Sequence, residues 1–177
     1  MEDAIGMAAS PDVVERAQRG DREAFEAIYS DYLPRIAGYL RRLVDDPEVA
    51  ADLTQDVFLS AYRSIGRTGP SLSLKPWLFT IATNAAMSYH RRRRLLQWIP
   101  FAPPEYEPSL PGPEEAVAIR EELSEALRSL PRDQIACVLL RAREGLSYEE
   151  VGQALGISEG AARTRACRAR LALARAL

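Results

Sequence analysis

Apolar residues recur at intervals of three and four along most of the chain, the spacing that gathers them on one side of an α-helix, and this predicts an all-α fold. Val14, Ala17, Phe25, Ile28 and Tyr29 set out a helical stretch from Val13 to Tyr32, with a break near Gly20 and Asp21. Pro34 then opens a further helix through Ile36, Leu40 and Leu43, and the turn residues Asp45, Asp46 and Pro47 mark its exit. In EVAADLTQDVFLSAYRSI, Val49, Leu53, Val57 and Ala61 share one stripe while Asp52, Gln55 and Asp56 point elsewhere. Gly66 to Ser73, GRTGPSLS, has the composition of a loop. In KPWLFTIATNAAMSYHRRRR, Trp77, Leu78, Ile81, Ala82 and Ala85 are suited to burial, and Asn84, Ser88, Arg91 and Arg92 emerge toward the basic run.

The helical pattern stops at residues 95–113, where Pro100, Pro103, Pro104, Pro108, Pro111 and Pro113 remove amide donors and favour extended chain. This divides the protein into two small helical domains, 1–94 and 114–177, joined by a proline-rich linker. Trp98, Ile99, Phe101 and Tyr106 make that linker apolar enough to rest on something. A helix resumes from Glu114 through Val117, Ile119, Leu123, Ala126 and Leu127. Pro131 interrupts it, and a buried helix follows at Ile135 to Leu140.

The stretch from Leu146 to Leu171 is the most informative. Ser147 and Glu150 have the spacing of a capping box. Val151 and Leu155 continue an apolar stripe, Gly156 provides a left-handed stop, and Ser158 caps a second helix at once. Two helices joined by so short a glycine turn form a helix-turn-helix, whose second helix fits the major groove of DNA. On that helix Ala162, Ala166, Ala169 and Leu173 face the first helix. Gly160, Thr164, Cys167 and Arg168 lie opposite, flanked by Arg163, Arg165 and Arg170, while Leu171 fits neither side. From Gly160 onward there are five arginines and no acid, the charge pattern of a phosphate-contacting surface. A solvated basic helix end is the alternative.

Composition sharpens this picture. The 177 residues are 47% hydrophobic, enough for packed cores. The formal charge of -2 is unevenly spread: residues 1–60 carry thirteen acids against six bases, and the basic runs lie at 91–94 and after Gly160. No apolar run approaches the roughly 20 residues of a spanning helix, and the start MEDAIGMAAS is unlike a signal peptide; a cytoplasmic protein without membrane insertion is expected. Cys137 and Cys167 lack metal-site spacing, and the single histidine, His90, adjoins arginines. No metal and no cofactor are expected. Cys137, inside IACVLL, reads as a core residue, and Cys167 as a thiol near DNA.

Three motifs in this order resemble bacterial sigma factors of the extracytoplasmic-function type, the compact group with only the second and fourth conserved regions. DLTQDVFLSAYR looks like the family's polymerase-docking helix, KPWLFTIATNAAMSYHRRRR like its strand-opening segment, and GLSYEEVGQALGISEGAARTRACRAR like its reader of the upstream promoter element. The resemblance implies a non-enzymatic subunit of RNA polymerase. It puts Asp52, Gln55, Asp56 and Phe58 against the clamp helices of the largest core subunit. Asn84, Ser88, His90, Arg91, Arg92, Arg93 and Arg94 fall to the minus-ten element and its backbone, with Ser71, Leu72, Ser73 and Leu74 as candidates for the pocket of a flipped base. Ser158, Gly160, Arg163, Thr164, Arg165, Cys167, Arg168 and Arg170 fall to the upstream duplex. Where the family commonly has an aromatic-arginine-glycine-acid loop, this chain has Thr68, Gly69, Pro70 and Ser71, so the relatives' base preference does not carry over. The family usually has larger apolar residues at Ala162 and Ala166.

The implied partners are polymerase core, including the flap of its second large subunit, promoter DNA as duplex and melted non-template strand, and an anti-sigma factor. Trp98, Phe101, Glu105 and Glu107 of the linker would run toward the template channel. The rival reading is a free-standing dimeric helix-turn-helix regulator, with the acidic helix from Val49 as its dimer seam. A nucleic-acid enzyme would need clustered carboxylates, a histidine pair or a phosphate-cradling glycine loop, none of which is present in the sequence.

Overall fold

A computed structural model describes residues 10–96, 126–127 and 129–176. The chain divides into two compact units between Leu95 and Leu96. The linker beyond Leu96, with Trp98, Phe101, Glu105 and Glu107, and the helix expected from Glu114 lie outside the described residues up to Ala126 and Leu127, which are helical.

In the first unit the first three helices are each started by a side chain that accepts the free amides of the first turn. Ser10 accepts from Val13 N at 3.4 Å to begin α1, Pro11–Gln18. Asp21 accepts from Glu23 N and Ala24 N at 3.0 and 3.2 Å to begin α2, Arg22–Leu43. Asp46 does the same for α3, Pro47–Ser64. A 3₁₀ turn, Ile65–Arg67, leads through the loop to α4, Leu74–Leu96. The core is built on Ile28, Tyr32, Ile36, Leu40 and Leu43 of α2, Val57 and Ala61 of α3, and Leu78, Phe79 and Ala82 of α4. Within it the Tyr39 and Thr83 hydroxyls lie 2.8 Å apart. Because the Thr83 hydroxyl donates to the Phe79 carbonyl at 2.7 Å, Tyr39 is the donor between them and both polar groups are satisfied.

Pro34 does not open a helix. It sits inside α2 on the exposed side, between buried Tyr32 and Ile36. An interior proline costs about 3 kcal/mol, and burial of each large side chain on the opposite face contributes about 1.5–3 kcal/mol, so the continuous apolar stripe outweighs the missing amide. α4 also differs from expectation. Leu78 and Ala82 are buried, but Trp77, Ile81 and Ala85 are only half-buried, and Phe79 takes their place in the core.

In the second unit Pro131 precedes α5, Arg132–Val138, which gives way to a π-helical turn at Leu139–Arg143 rather than continuing as α-helix through Leu140. Glu144 N reaches back to the Leu139 carbonyl at 3.2 Å, widening this turn. α6, Tyr148–Leu155, and α7, Glu159–Ala176, complete the unit. The Ser147–Glu150 capping box is present in both directions, at 3.1 and 2.7 Å. Gly156 is left-handed at φ 65°. Gly152 is needed for a different reason: a Cβ there would lie 2.7 Å from the Ile157 carbonyl oxygen. Ala162, Ala166 and Ala169 are 0%, 1% and 0% exposed, so small side chains let α7 pack close to the elements beneath it.

Candidate polymerase and nucleic-acid interfaces

α3 separates an inner from an outer face. Ala50, Thr54, Val57, Phe58 and Ala61 are buried; the Thr54 hydroxyl closes on the Ala50 carbonyl at 2.6 Å. Asp52, Gln55 and Asp56 are exposed, as their positions between the apolar residues imply. Phe58, expected on the docking surface, is corrected: it is 4% exposed and meets the Tyr29 ring edge-to-face at 4.7 Å. One helical position on, Leu59 is 49% exposed, and Tyr62 is 48% exposed. Asp52, Gln55, Asp56 and Leu59 are spaced i, i+3, i+4, i+7 and make a single outward stripe. Sequence reasoning missed Leu59, although its separation of seven residues from Asp52 was the available signal. Val49 and Leu53 are half-buried rather than core.

The residues expected to open the strand lie along α4 and the loop before it. Asn84 and Arg91 to Arg94 are exposed, and Ser88 is half-buried and accepts from Arg91 Nη2 at 3.2 Å. His90 is turned inward. Its Nε2 lies 2.7 Å from the Leu43 carbonyl at the end of α2, and since a carbonyl only accepts, that nitrogen carries the hydrogen. It ties two helix ends together rather than joining the arginines. In the loop, Ser71 and Ser73 are exposed and Leu72 is half-buried, while Leu74 is 4% exposed and belongs to the core instead of a pocket.

On α7, Ser158 accepts from Ala161 N at 3.2 Å as the helix cap, and the Thr164 hydroxyl donates to the Gly160 carbonyl at 2.9 Å. Gly160, Arg163, Thr164, Cys167, Arg168 and Arg170 are exposed together on the outer side. Arg163 is anchored by Glu159 at 2.7 Å and stacks on the Tyr148 ring, its Cζ 5.1 Å from the centroid. Arg141 lies over the same ring at 5.0 Å and donates to the Leu146 carbonyl at 2.9 Å. Tyr148 thus contacts two guanidiniums, and its hydroxyl-bearing ring joins the π-helical turn to the start of α7. Arg165 is half-buried and paired with Asp133 of α5 at 3.1 Å. Leu171 is 55% exposed. Cys137 is buried, and burial pushes its thiol up to about 11, with nearby Arg165 opposing and Asp133 adding to the shift. Cys167 is exposed. Among the described residues no helix is long and apolar enough to cross a membrane.

Residues 28–95 match the family Sigma-70 region 2, and residues 120–173 match Sigma-70, region 4. The RNA polymerase sigma factor CarQ of Myxococcus xanthus is 39% identical over 156 residues, which span 88% of this chain and 90% of that protein. The ECF RNA polymerase sigma-E factor of Haemophilus influenzae is 32% identical, with 89% of each chain covered. Among solved structures, the sigma factor RpoE from Bartonella quintana, in complex with the anti-sigma factor NepR, superposes with a TM-score of 0.70 at 27% identity, covering 86% of this chain and 95% of that one. Because both halves match sigma regions, a free-standing dimeric regulator is not favoured. The chain belongs to the extracytoplasmic-function family of RNA polymerase sigma factors, which bind the polymerase core and direct it to promoter DNA.

Proposed function

We propose that the outward stripe of α3, Asp52, Gln55, Asp56 and Leu59, is the surface that docks on the clamp helices of the largest polymerase subunit. The carrying observation is that this one face combines acids with an exposed leucine while Ala50, Val57, Phe58 and Ala61 of α3 turn inward. The polypeptide itself performs no chemistry; polymerase supplies the nucleotidyl transfer. Its place of action is the cytoplasm, where polymerase and promoters are.

On this reading residues 1–94 form the melting domain, 95–113 the linker and 114–177 the duplex-reading domain, which also meets the flap of the second subunit. α7 enters the major groove with Gly160, Thr164, Cys167 and Arg168 toward the bases and Arg163 and Arg170 toward phosphates. Asn84, Ser71, Leu72 and Ser73 meet non-template bases as they leave the stack, and Arg91 to Arg94 hold their backbone. These contacts offset an unstacking cost of about a few kcal/mol per step. An anti-sigma factor is proposed as a further partner, by likeness to RpoE, which was solved with one.

Reconstituted transcription with core polymerase on randomised promoters tests the assignment. Asp56→Arg is expected to lose core binding, and Arg168→Ala to lose selection of the upstream element alone. Wild-type strength in both variants would overturn the two surfaces.

A further inference from the structure

The loop between α3 and α4 is fastened from outside itself. Gln18, the last residue of α1, points its side-chain amide at the loop: Nε2 is 2.8 Å from Thr68 Oγ1 and 2.9 Å from the Gly69 carbonyl oxygen. An amide nitrogen has two hydrogens, so both acceptors are served at once. The Thr68 hydroxyl donates its own hydrogen to the Ile65 carbonyl at 2.5 Å, and the Thr68 amide donates to that same carbonyl at 3.1 Å. The hydroxyl oxygen is therefore oriented to accept from Gln18. The backbones also approach closely here, since a Cβ on Gly66 would lie 3.1 Å from the Gln18 carbonyl oxygen.

The post that carries this amide is itself fixed. Val14 and Ala17 bury α1, and the Arg16 guanidinium, 2.7 Å from Asp21, ties it to the start of α2. At the far end of the loop Leu74 is sunk in the core. Pro70 to Ser73 is thus suspended between two anchors, Gln18 on one side and Leu74 on the other, with Ser71 and Ser73 outward.

We infer that Gln18 is a positioning residue for base selection: its two hydrogen bonds hold the 70–73 segment at one height, so that the surface offered to an unstacked base has one shape. The inference rests on the reading above that Ser71, Leu72 and Ser73 meet that base. A segment that is already ordered discriminates between bases by fit, whereas a loosened one adapts to several and loses selectivity before it loses binding.

Gln18→Met keeps the length of the side chain and removes both donors. Holoenzyme carrying it, Leu72→Ala or neither is run on promoters randomised across the minus-ten element with the upstream element constant, and discrimination is read position by position from the transcripts. Thermal melting and core affinity are measured in parallel. Gln18→Met is expected to lower discrimination at the position that Leu72→Ala also affects, by about three- to tenfold, the range of one net hydrogen bond, and to leave the other positions as they were. If Leu72→Ala shifts one position and Gln18→Met shifts none, or lowers all positions equally together with the melting temperature, the positioning role is wrong and the base-contact reading survives. If neither variant shifts any position, the base-contact reading fails and the inference with it.

Discussion

Nε of Arg165 lies 3.1 Å from Oδ2 of Asp133, so one arginine of α7 is already paired with an acid of the helix it packs on. Arg163 is likewise occupied by Glu159 and Tyr148. Arg168 has no acidic partner among the described residues and is exposed. The arginines that look equivalent in sequence are therefore not equivalent toward phosphates.

This inequality sets a salt dependence. Each cation that newly neutralises a phosphate contributes about 0.9 to the slope of log affinity against log salt. Arg170→Ala, which removes an exposed guanidinium placed toward the phosphates, is expected to reduce the slope for upstream duplex by about that amount, and Arg165→Ala by clearly less, because its charge is already compensated. Fluorescence anisotropy across a KCl series measures both; equal reductions would show that the Asp133 pair opens on DNA.

Neighbours on α3 should separate stability from docking. Phe58→Ala empties a buried site against Tyr29 and is expected to cost about 3–5 kcal/mol of folding stability. Leu59→Ala, on the outer face, should change stability by no more than about 0.5 kcal/mol. It should nevertheless weaken core affinity by about five- to tenfold, the usual size for truncating a contributing interface side chain. Chemical denaturation and core-binding titration on the same samples distinguish the two, and an unaffected core affinity for Leu59→Ala would remove it from the interface.

The helix-turn-helix has a steric test. Gly152→Ala forces a Cβ toward the Ile157 carbonyl oxygen, 2.7 Å away. The turn must open, and selection of the upstream element should fall while docking through the first unit persists. Transcription from promoters with and without the upstream element reads this; a variant with full upstream selectivity would mean the turn absorbs a methyl group unaided.

Cys137 makes a pH prediction. Its thiol is raised from an ordinary 9.0 to about 11 by burial, so between these values the unfolded chain has lost a proton that the folded chain keeps. Folding stability is therefore intact below about pH 9 and falls as pH rises toward 11. In native protein at pH 8, an alkylating reagent should label Cys167 and spare Cys137, and both should react after denaturation. Mass spectrometry of tryptic peptides counts the labels, and rapid native labelling of Cys137 would contradict its burial.

Much of this protein was legible in local sequence. The capping box at Ser147, the left-handed Gly156 and the alanine stripe Ala162, Ala166 and Ala169 depend on neighbours within a few positions, and so did the acidic stripe Asp52, Gln55 and Asp56. The errors came where a distant partner decides. Pro34 looked like a helix start because proline's local cost is visible and the core stripe that overrides it is not. Phe58 and Leu59 are adjacent and both apolar; the spacing of Leu59 from Asp52 pointed outward, and the packing of Phe58 against Tyr29 shows which of the two the core takes.

The sequence by itself determined most of the helical segments, the caps at Ser147 and Ser158 and the sign of charge on each face, because these follow from residue spacing and from groups that hydrogen-bond within a turn. Tertiary structure alone decided which charges and polar groups are spent internally. His90 closes on Leu43 forty-seven residues away, Gln18 on Thr68 fifty residues away, and Arg165 on Asp133 of another helix. Contacts so far apart along the chain arise only when separate helices pack, and no periodicity within either helix encodes them.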